Sequence, residues 1–406
     1  MSLDEMSPRG GPKFALDLGK YLVGAGHDVT IVAKREGAWW PEVPARGMSG
    51  YCLPERHHAC FVRRAEELAA DLNSRAYDAI VVNVSPQNRL AQCAIHMVAD
   101  RTPVLYVLHG DWSFLYSLAA RDVAAWNCAV GVGPKIHRGA VARFPGKPVI
   151  GISNGVELPT EAELLARVGW ELPLRLLFVG RLIDSHKGIL RLPKILAGCR
   201  RLGVPVRLTV IGRGADGERL VQGFAEEGVS DLVHLAGDLP HDEVAAAMRQ
   251  HHVLVFPTNT EGMPLVVLEA QANGCVVITT ALPGVTDVAV EDGVTGRLVA
   301  LGAIEEFVAY TAAMATAAMW ESHSRAAIAR ARRKFSLSAM GDRYLRLLEA
   351  LARGRYPIAR PYNQRRKRNV VPFGSRDYLP PIVLRGLDQV KRGLGRVASM
   401  VRGGAV

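Results

Sequence analysis

The feature that most constrains this chain is an alternation. Short apolar, β-branched runs recur between longer stretches whose apolar residues fall at helical spacing, and that pattern folds as βα units around parallel sheets. The first half carries HDVTIVA (27–33), YDAIVVNV (77–84), PVLYVLHG (103–110), WNCAVGV (126–132) and KPVIGI (147–152). The second half carries LRLLFVG (174–180), VRLTVIG (206–212), DLVHLAG (231–237), HVLVFPT (252–258) and GCVVITT (274–280). Between the halves lies SNGVELP (153–159), rich in turn formers. The expected organisation is α/β, with one domain over 1–152, a second over 153–335, a helix over 336–354 returning to the first, and a tail over 355–406. The opening residues MSLDEMS reach the pair Gly10-Gly11 almost at once, so the first strand is expected to be stunted or missing.

Charge separates the tail from the body. From Arg355 to Val406 there are twelve Lys and Arg against two Asp, which accounts for +10 of the chain's net +11. A partner selected by basicity is therefore a partner of the tail. No apolar run reaches bilayer length, and the amino terminus has no secretory apolar core, so the expected location is the cytoplasm. Six scattered cysteines form neither a C-x-x-C pair nor a Cys/His cluster and read as reduced packing residues.

The segment EGMPLVVLEAQANG (261–274) sets two carboxylates, Glu261 and Glu269, eight positions apart in an apolar stretch. It follows the strand VLVFP, and Pro264 suits the first turn of a helix, where its missing N–H goes unnoticed. Glu261 and Gly262 then lie at the helix entrance and Glu269 about two turns in. A helix N-terminus attracts an anionic diphosphate, the carboxylates can accept hydrogen bonds from sugar and ribose hydroxyls, and Gly262, Met263, Pro264 and Leu265 would line the donor. The same segment also fits a capping acid and a partly exposed helix residue. FVGRLIDSHKG (178–188) places Arg181 and Lys187 just beyond a strand, where two cations suit a diphosphate leaving group. VRLTVIGRGADG spaces Gly212, Gly214 and Gly217 as a dinucleotide fingerprint, but it follows the second strand of its domain rather than the first. Those glycines read as a close backbone approach to another nucleotide or as a tight turn.

Together, GG (10–11), SNGV (153–156), FVGRL…HKG (178–188), LTVIGRG (208–214), EGMPLVVLEAQANG (261–274) and DGVTGRLV (292–299) make the chain resemble the retaining nucleotide-sugar glycosyltransferases of family 4 over roughly residues 9 to 350. The resemblance implies a GT-B fold, two Rossmann-like domains facing across a cleft, here with a basic C-terminal tail. It implies transfer of a sugar from a nucleotide diphosphate sugar to an acceptor with retention of anomeric configuration. In the roles it implies, Glu261 holds the donor sugar, Glu269 the ribose, Arg181 and Lys187 the diphosphate, the Gly10-Gly11 loop lines the cleft, and His109 faces the transferred sugar. With no D-x-D motif, no metal or other cofactor is expected beyond the nucleotide sugar as co-substrate. A sugar phosphorylase, a nucleotide-sugar epimerase, a nucleic-acid-directed glycosyltransferase and an inactive nucleotide-sugar-binding protein remain alternatives on the same fold.

In the tail, Val383, Leu387, Val390, Leu394, Val397 and Val401 form one apolar stripe beside Arg385, Lys391, Arg392, Arg396 and Arg402. Such a segment suits the surface of an anionic membrane, with packing on the first domain or binding of nucleic acid as the other readings. Membrane contact would go with a lipid-linked acceptor or a cell-envelope glycan and with a peripheral place on the inner face of the membrane.

Overall fold

The computed structural model describes residues 1–7, 10–53 and 60–356, with residues 2–4 in backbone only. Two parallel sheets organise it. The first comprises β1 (Ser2–Glu5), β2 (Thr30–Arg35), β3 (Ser49–Cys52), β4 (Ile80–Asn83), β5 (Val104–Leu108), β6 (Cys128–Gly131) and β7 (Val149–Gly151), in the order β3-β2-β1-β4-β5-β6-β7. The second comprises β8 (Leu174–Val179), β9 (Val206–Ile211), β10 (Val233–Gly237), β11 (Val253–Phe256), β12 (Val276–Thr280) and β13 (Gly296–Val299), in the order β10-β9-β8-β11-β12-β13. Every residue of β5, β11 and β12 is buried, which is why these strands read as unbroken apolar runs: helices cover both faces of a parallel sheet.

Strand order reverses beside β1 in the first sheet and beside β8 in the second. At such switch points the loops leaving the strands diverge to opposite faces and open a crevice at the carboxyl edge. The expectation of a stunted first strand is met in a particular form. β1 has four residues, yet it is an interior strand of its sheet, pairing Ser2 with Val32 on one side and Val82 on the other.

Two chain crossings join the halves, and they run side by side. Val156 N donates to Phe335 O at 2.8 Å, and Leu337 N donates to Val156 O at 2.8 Å. Gly155 is required there, since a Cβ would sit 2.5 Å from the Ser336 carbonyl oxygen. Ser336 then caps the helix Leu337–Ala352 through its hydroxyl and the Ala339 N–H. That helix lies against the helix Gly10–Gly24, with the Phe14 and Tyr344 rings 5.3 Å apart and Tyr21 hydrogen-bonded to Asp342. The chain thus ends its described course on the half where it began. The basic stretch from residue 357 onward, with its apolar stripe, lies outside the described residues.

Tyr344 is fully buried, and its hydroxyl has no hydrogen-bond partner among the described residues. Truncation to Ala opens a ring-sized cavity, whereas Phe keeps the ring and removes only the unpaired hydroxyl. Tyr344→Ala should therefore cost about 3–5 kcal/mol in urea unfolding, while Tyr344→Phe should be neutral or stabilising.

Candidate active site

The second sheet presents its loops at the β8/β11 switch point. Beyond β8 the chain turns through Gly180, and the Gly212-x-Gly214 pair packs on it: a Cβ at Gly212 would fall 2.0 Å from Gly180 O, and one at Gly214 2.3 Å from Leu182 O. Hydrogen bonds from Leu182 N to Arg213 O and from Asp216 N to Leu182 O, both 2.9 Å, lock the two loops together. Where the sequence suggested close approach to a nucleotide or a tight turn, the structure shows Gly212 and Gly214 packed against the protein's own backbone. Their effect is to fix the segment carrying Arg181.

Lys187 closes the short helix Asp184–Lys187 and is followed by Gly188 in the left-handed conformation, φ 58°. Its Nζ lies 2.5 Å from Glu261 Oε1, and Thr258 Oγ1 donates to the same oxygen at 2.9 Å. The two charged side chains are only 16% and 12% exposed. Arg191 braces this arrangement by donating to Pro257 O and Asn259 Oδ1, each at 2.6 Å. Arg181 differs: its side chain is exposed and has no ion pair or hydrogen bond among the described residues. The structure therefore brings Lys187 and Glu261 together and leaves Arg181 at the rim.

From the first sheet, His109 leaves the end of β5 and its Nε2 lies 2.7 Å from Asn83 Oδ1 at the end of β4. Phe14 meets the imidazole edge-on at 5.0 Å. Burial pushes the His109 pKa down to about 4, so the ring is neutral at physiological pH. The halves touch here. A Cβ on Gly262 would fall 2.0 Å from His109 O and 3.2 Å from Gly110 Cα, and Met263 lies beside Gly133. Lys135 N reaches Gly284 O at 3.4 Å across the same seam. The helix itself spans Leu265–Ala272, so Pro264 stands at its N-cap, not in its first turn, and Glu269 is the fifth helical residue, just over one turn in. Pro264 has extended backbone, φ −73° and ψ 99°, which delays the first helical residue to Leu265. Gly10 and Gly11 likewise belong to a helix, opening Gly10–Gly24, and no atom among the described residues lies within 4 Å of either missing Cβ.

Glu269 sits in a group of charges that the sequence reading did not assemble. Its side chain is 15% exposed and lies 3.8 Å from His241 Nε2. Burial raises its pKa to about 7; Lys13 opposes the rise, and Asp17 and Glu157 add to it. His241 is pushed down to about 4 by burial and by the cations Lys13 and Arg46, so the neighbouring imidazole is neutral. Lys13 and Asp17, nearly fully buried, pair at 2.5 Å in the first half. Spacing of i and i+4 was their only signal, and it usually marks a solvated helix face. No hydrogen bond reaches the Glu269 carboxylate among the described residues, so its oxygens can accept from a ligand. No three His, Cys, Asp or Glu side chains among the described residues converge as metal ligands do.

Residues 173–316 match the family model described as glycosyl transferases group 1. The six-stranded half is a group 1 glycosyltransferase domain. Among curated relatives, this glycosyltransferase domain is similar to glycogen synthase of Mycobacterium tuberculosis (strain H37Rv), 32% identical over 124 residues, 30% of each chain. It is similar too to D-inositol 3-phosphate glycosyltransferase of Streptomyces coelicolor, 37% identical over 131 residues, 30% of this chain and 28% of that one. The matched stretch thus spans less than a third of either relative. Among solved structures, Anabaena Alr3699/HepE in complex with UDP and glucose superposes with a TM-score of 0.70 at 17% identity, covering 86% of this chain and all of that one. Sucrose-phosphate synthase from Thermosynechococcus elongatus gives 0.68 at 17% identity over 87% of this chain and all of that one. At such identity the likeness concerns the fold alone, two Rossmann-like domains in the GT-B arrangement.

The raised pKa of Glu269 has a definite sign in stability. Between pH 4.5 and about 7 the folded chain keeps a proton that the unfolded chain has lost, so this group lowers stability as pH rises through that window. Glu269→Gln should therefore gain on the order of 3 kcal/mol over wild type at pH 8 and nothing near pH 4, on the scale of one pKa unit per 1.4 kcal/mol. Urea midpoints of both proteins at the two pH values check this, and an equal gap at both would contradict it.

Proposed function

We propose that the chain is a nucleotide-sugar glycosyltransferase whose donor lies between the β8 and β11 loops, with the acceptor entering from the side of the first sheet. The observation that carries this is the nearly buried Lys187–Glu261 pair, set one residue from the seam at Gly262. A buried ion pair is an expensive way to stabilise a fold. Here it stores a cation and a carboxylate that a donor can use separately. On this reading the diphosphate takes Lys187 and recruits Arg181 from the rim, and Glu261, released, accepts hydrogen bonds from sugar hydroxyls. Glu269 accepts from the ribose, most strongly when ionised.

The reaction then proceeds at C1 of the sugar. The bond from C1 to the diphosphate oxygen breaks, a bond from C1 to the acceptor hydroxyl oxygen forms, and the hydroxyl proton leaves with the diphosphate. Negative charge grows on the leaving group, and the cations already drawn onto the diphosphate when the donor binds stabilise it. The neutral His109, held by Asn83, orients the sugar without exchanging a proton. The contact of Gly262 with His109 excludes water that would otherwise hydrolyse the donor. With two cations placed for the diphosphate, we read the reaction as metal-independent, and, with the resemblance to the family 4 enzymes, as retaining, the acceptor hydroxyl attacking the face of C1 from which the diphosphate departs. HepE, whose structure holds UDP and glucose, makes a UDP-sugar the first donor to test. A glycan or lipid-linked acceptor at the inner face of a membrane fits the basic tail, and nucleic acid is not the expected partner.

Arg181 is the cleanest probe because it is exposed. Arg181→Ala should lower kcat on the order of a hundredfold, the scale of one preorganised stabiliser, with an unchanged melting temperature. Glu261→Ala should lower transfer while leaving binding of the bare nucleoside diphosphate nearly intact. Steady-state kinetics with an intact nucleotide sugar decide, and normal turnover in Arg181→Ala would refute the assignment.

A further inference from the structure

Between β5 and the helix Ser113–Arg121 runs the segment His109-Gly110-Asp111-Trp112. It ends in an exposed aromatic pair. Trp112 is 36% and Phe114 47% exposed, and among the described residues they are the two exposed Phe or Trp side chains; the other Phe and Trp rings are buried, like Trp126 and Trp320, or partly buried, like Trp39, Trp40 and Trp170. Their rings lie parallel within 6°, with centroids 5.8 Å apart. Trp112 occupies the N-cap position of its helix but makes no side-chain cap bond, so capping does not account for it.

The pair is anchored at the cleft. A Cβ on Gly110 would fall 2.4 Å from the Trp112 six-membered ring, so the indole rests on the Gly110 backbone. Gly110 Cα in turn lies 3.2 Å from where Gly262 would carry a Cβ, which puts the indole on the first-sheet lip of the seam. Polar groups flank it. Asp111 accepts from Tyr116 Oη at 2.7 Å and lies 3.2 Å from Lys135 Nζ, which is about half exposed. The Lys135 backbone N–H reaches Gly284 O on the other side of the seam.

A flat apolar surface beside a carboxylate and an ammonium suits a flat partner with a polar rim, a pyranose or a nucleobase, and the donor reading already places the nucleobase on the second sheet. A pyranose ring presents a face of C–H groups, which are weakly positive and fit the negative face of an aromatic ring, and a rim of hydroxyls, which both donate and accept. A diphosphate has no apolar face, and a purely apolar ligand would leave Asp111 and Lys135 without use. We propose that Trp112 and Phe114 form a platform for a pyranose ring of the acceptor glycan, with Asp111 and Lys135 hydrogen-bonding its hydroxyls. This deepens the transferase reading and rests on it. It assigns the acceptor as a sugar and leaves the donor on the opposite sheet.

The test uses the full chain and simple probes. In saturation-transfer NMR, methyl α-D-glucopyranoside and methyl α-D-mannopyranoside should receive saturation from wild type at their ring C–H protons. The Trp112→Ala/Phe114→Ala double variant should show this reduced about tenfold, the scale of losing one or two aromatic contacts, and Trp112→Phe should retain most of it. UDP, GDP and ADP titrated into the same samples report the donor side independently. Nucleoside diphosphate binding equal in wild type and double variant, with pyranoside transfer lost only in the variant, is the expected result. Equal pyranoside transfer in both proteins, or none from wild type, overturns the platform. If no nucleoside diphosphate binds wild type, the transferase reading fails instead.

Discussion

The approach of Gly262 to the His109 carbonyl is the constraint on which the rest of this structure depends. Both residues sit at carboxyl edges of their sheets, one after β11 and the other after β5, and a Cβ at 262 would lie 2.0 Å from His109 O. Only a residue without a side chain lets the two edges close to this distance. Once they do, the Lys187–Glu261 pair and His109 lie on either side of the Gly262 contact, and the Gly180–Gly212 and Val156–Ser336 contacts fix the loops behind them.

That volume is costly in charge. Lys13 and Asp17 pair within the first half, Lys187 and Glu261 pair within the second, and Glu269, within reach of the Lys13–Asp17 charges, lies beside a neutral His241. Desolvation raises the pKa of Asp17 and of Glu269 and lowers that of His241. A fold selected for stability alone would do better with apolar side chains at these positions. Their presence at the joint of two sheets is understandable if a polyanion with hydroxyl groups enters and rearranges them.

Much of this was legible in the sequence, and the part that was not has physical causes. β11 and β12 were readable because parallel strands covered on both faces become continuous apolar runs, and β8 and β9 because their Val, Leu, Ile and Phe residues dominate despite Arg175 and Arg207. β1, SLDE, and β3, SGYC, escape that rule because they are four residues each with polar members. β13, GRLV, was noticed only as part of a motif. The E-x7-E and G-R-L…K-G spacings located the loops at the β8/β11 switch point, but spacing along the chain did not show that Lys187 is already paired with Glu261. Lys13 and Asp17 look like a surface pair in sequence, and burying them required knowing that a second sheet lies across the helix. Trp112 and Phe114 carry no periodic signal at all, because their meaning lies in being exposed.

The central claim is that this cleft holds a nucleoside diphosphate with its ribose on Glu269. Calorimetric titration of UDP, GDP and ADP into wild type and Glu269→Ala at pH 8, where the carboxyl is ionised, tests it most directly. The account predicts that wild type binds at least one of the three and that Glu269→Ala binds it about tenfold more weakly, the loss of a hydrogen bond to a charged group. Equal affinity in the two proteins, or no binding by wild type, would contradict it.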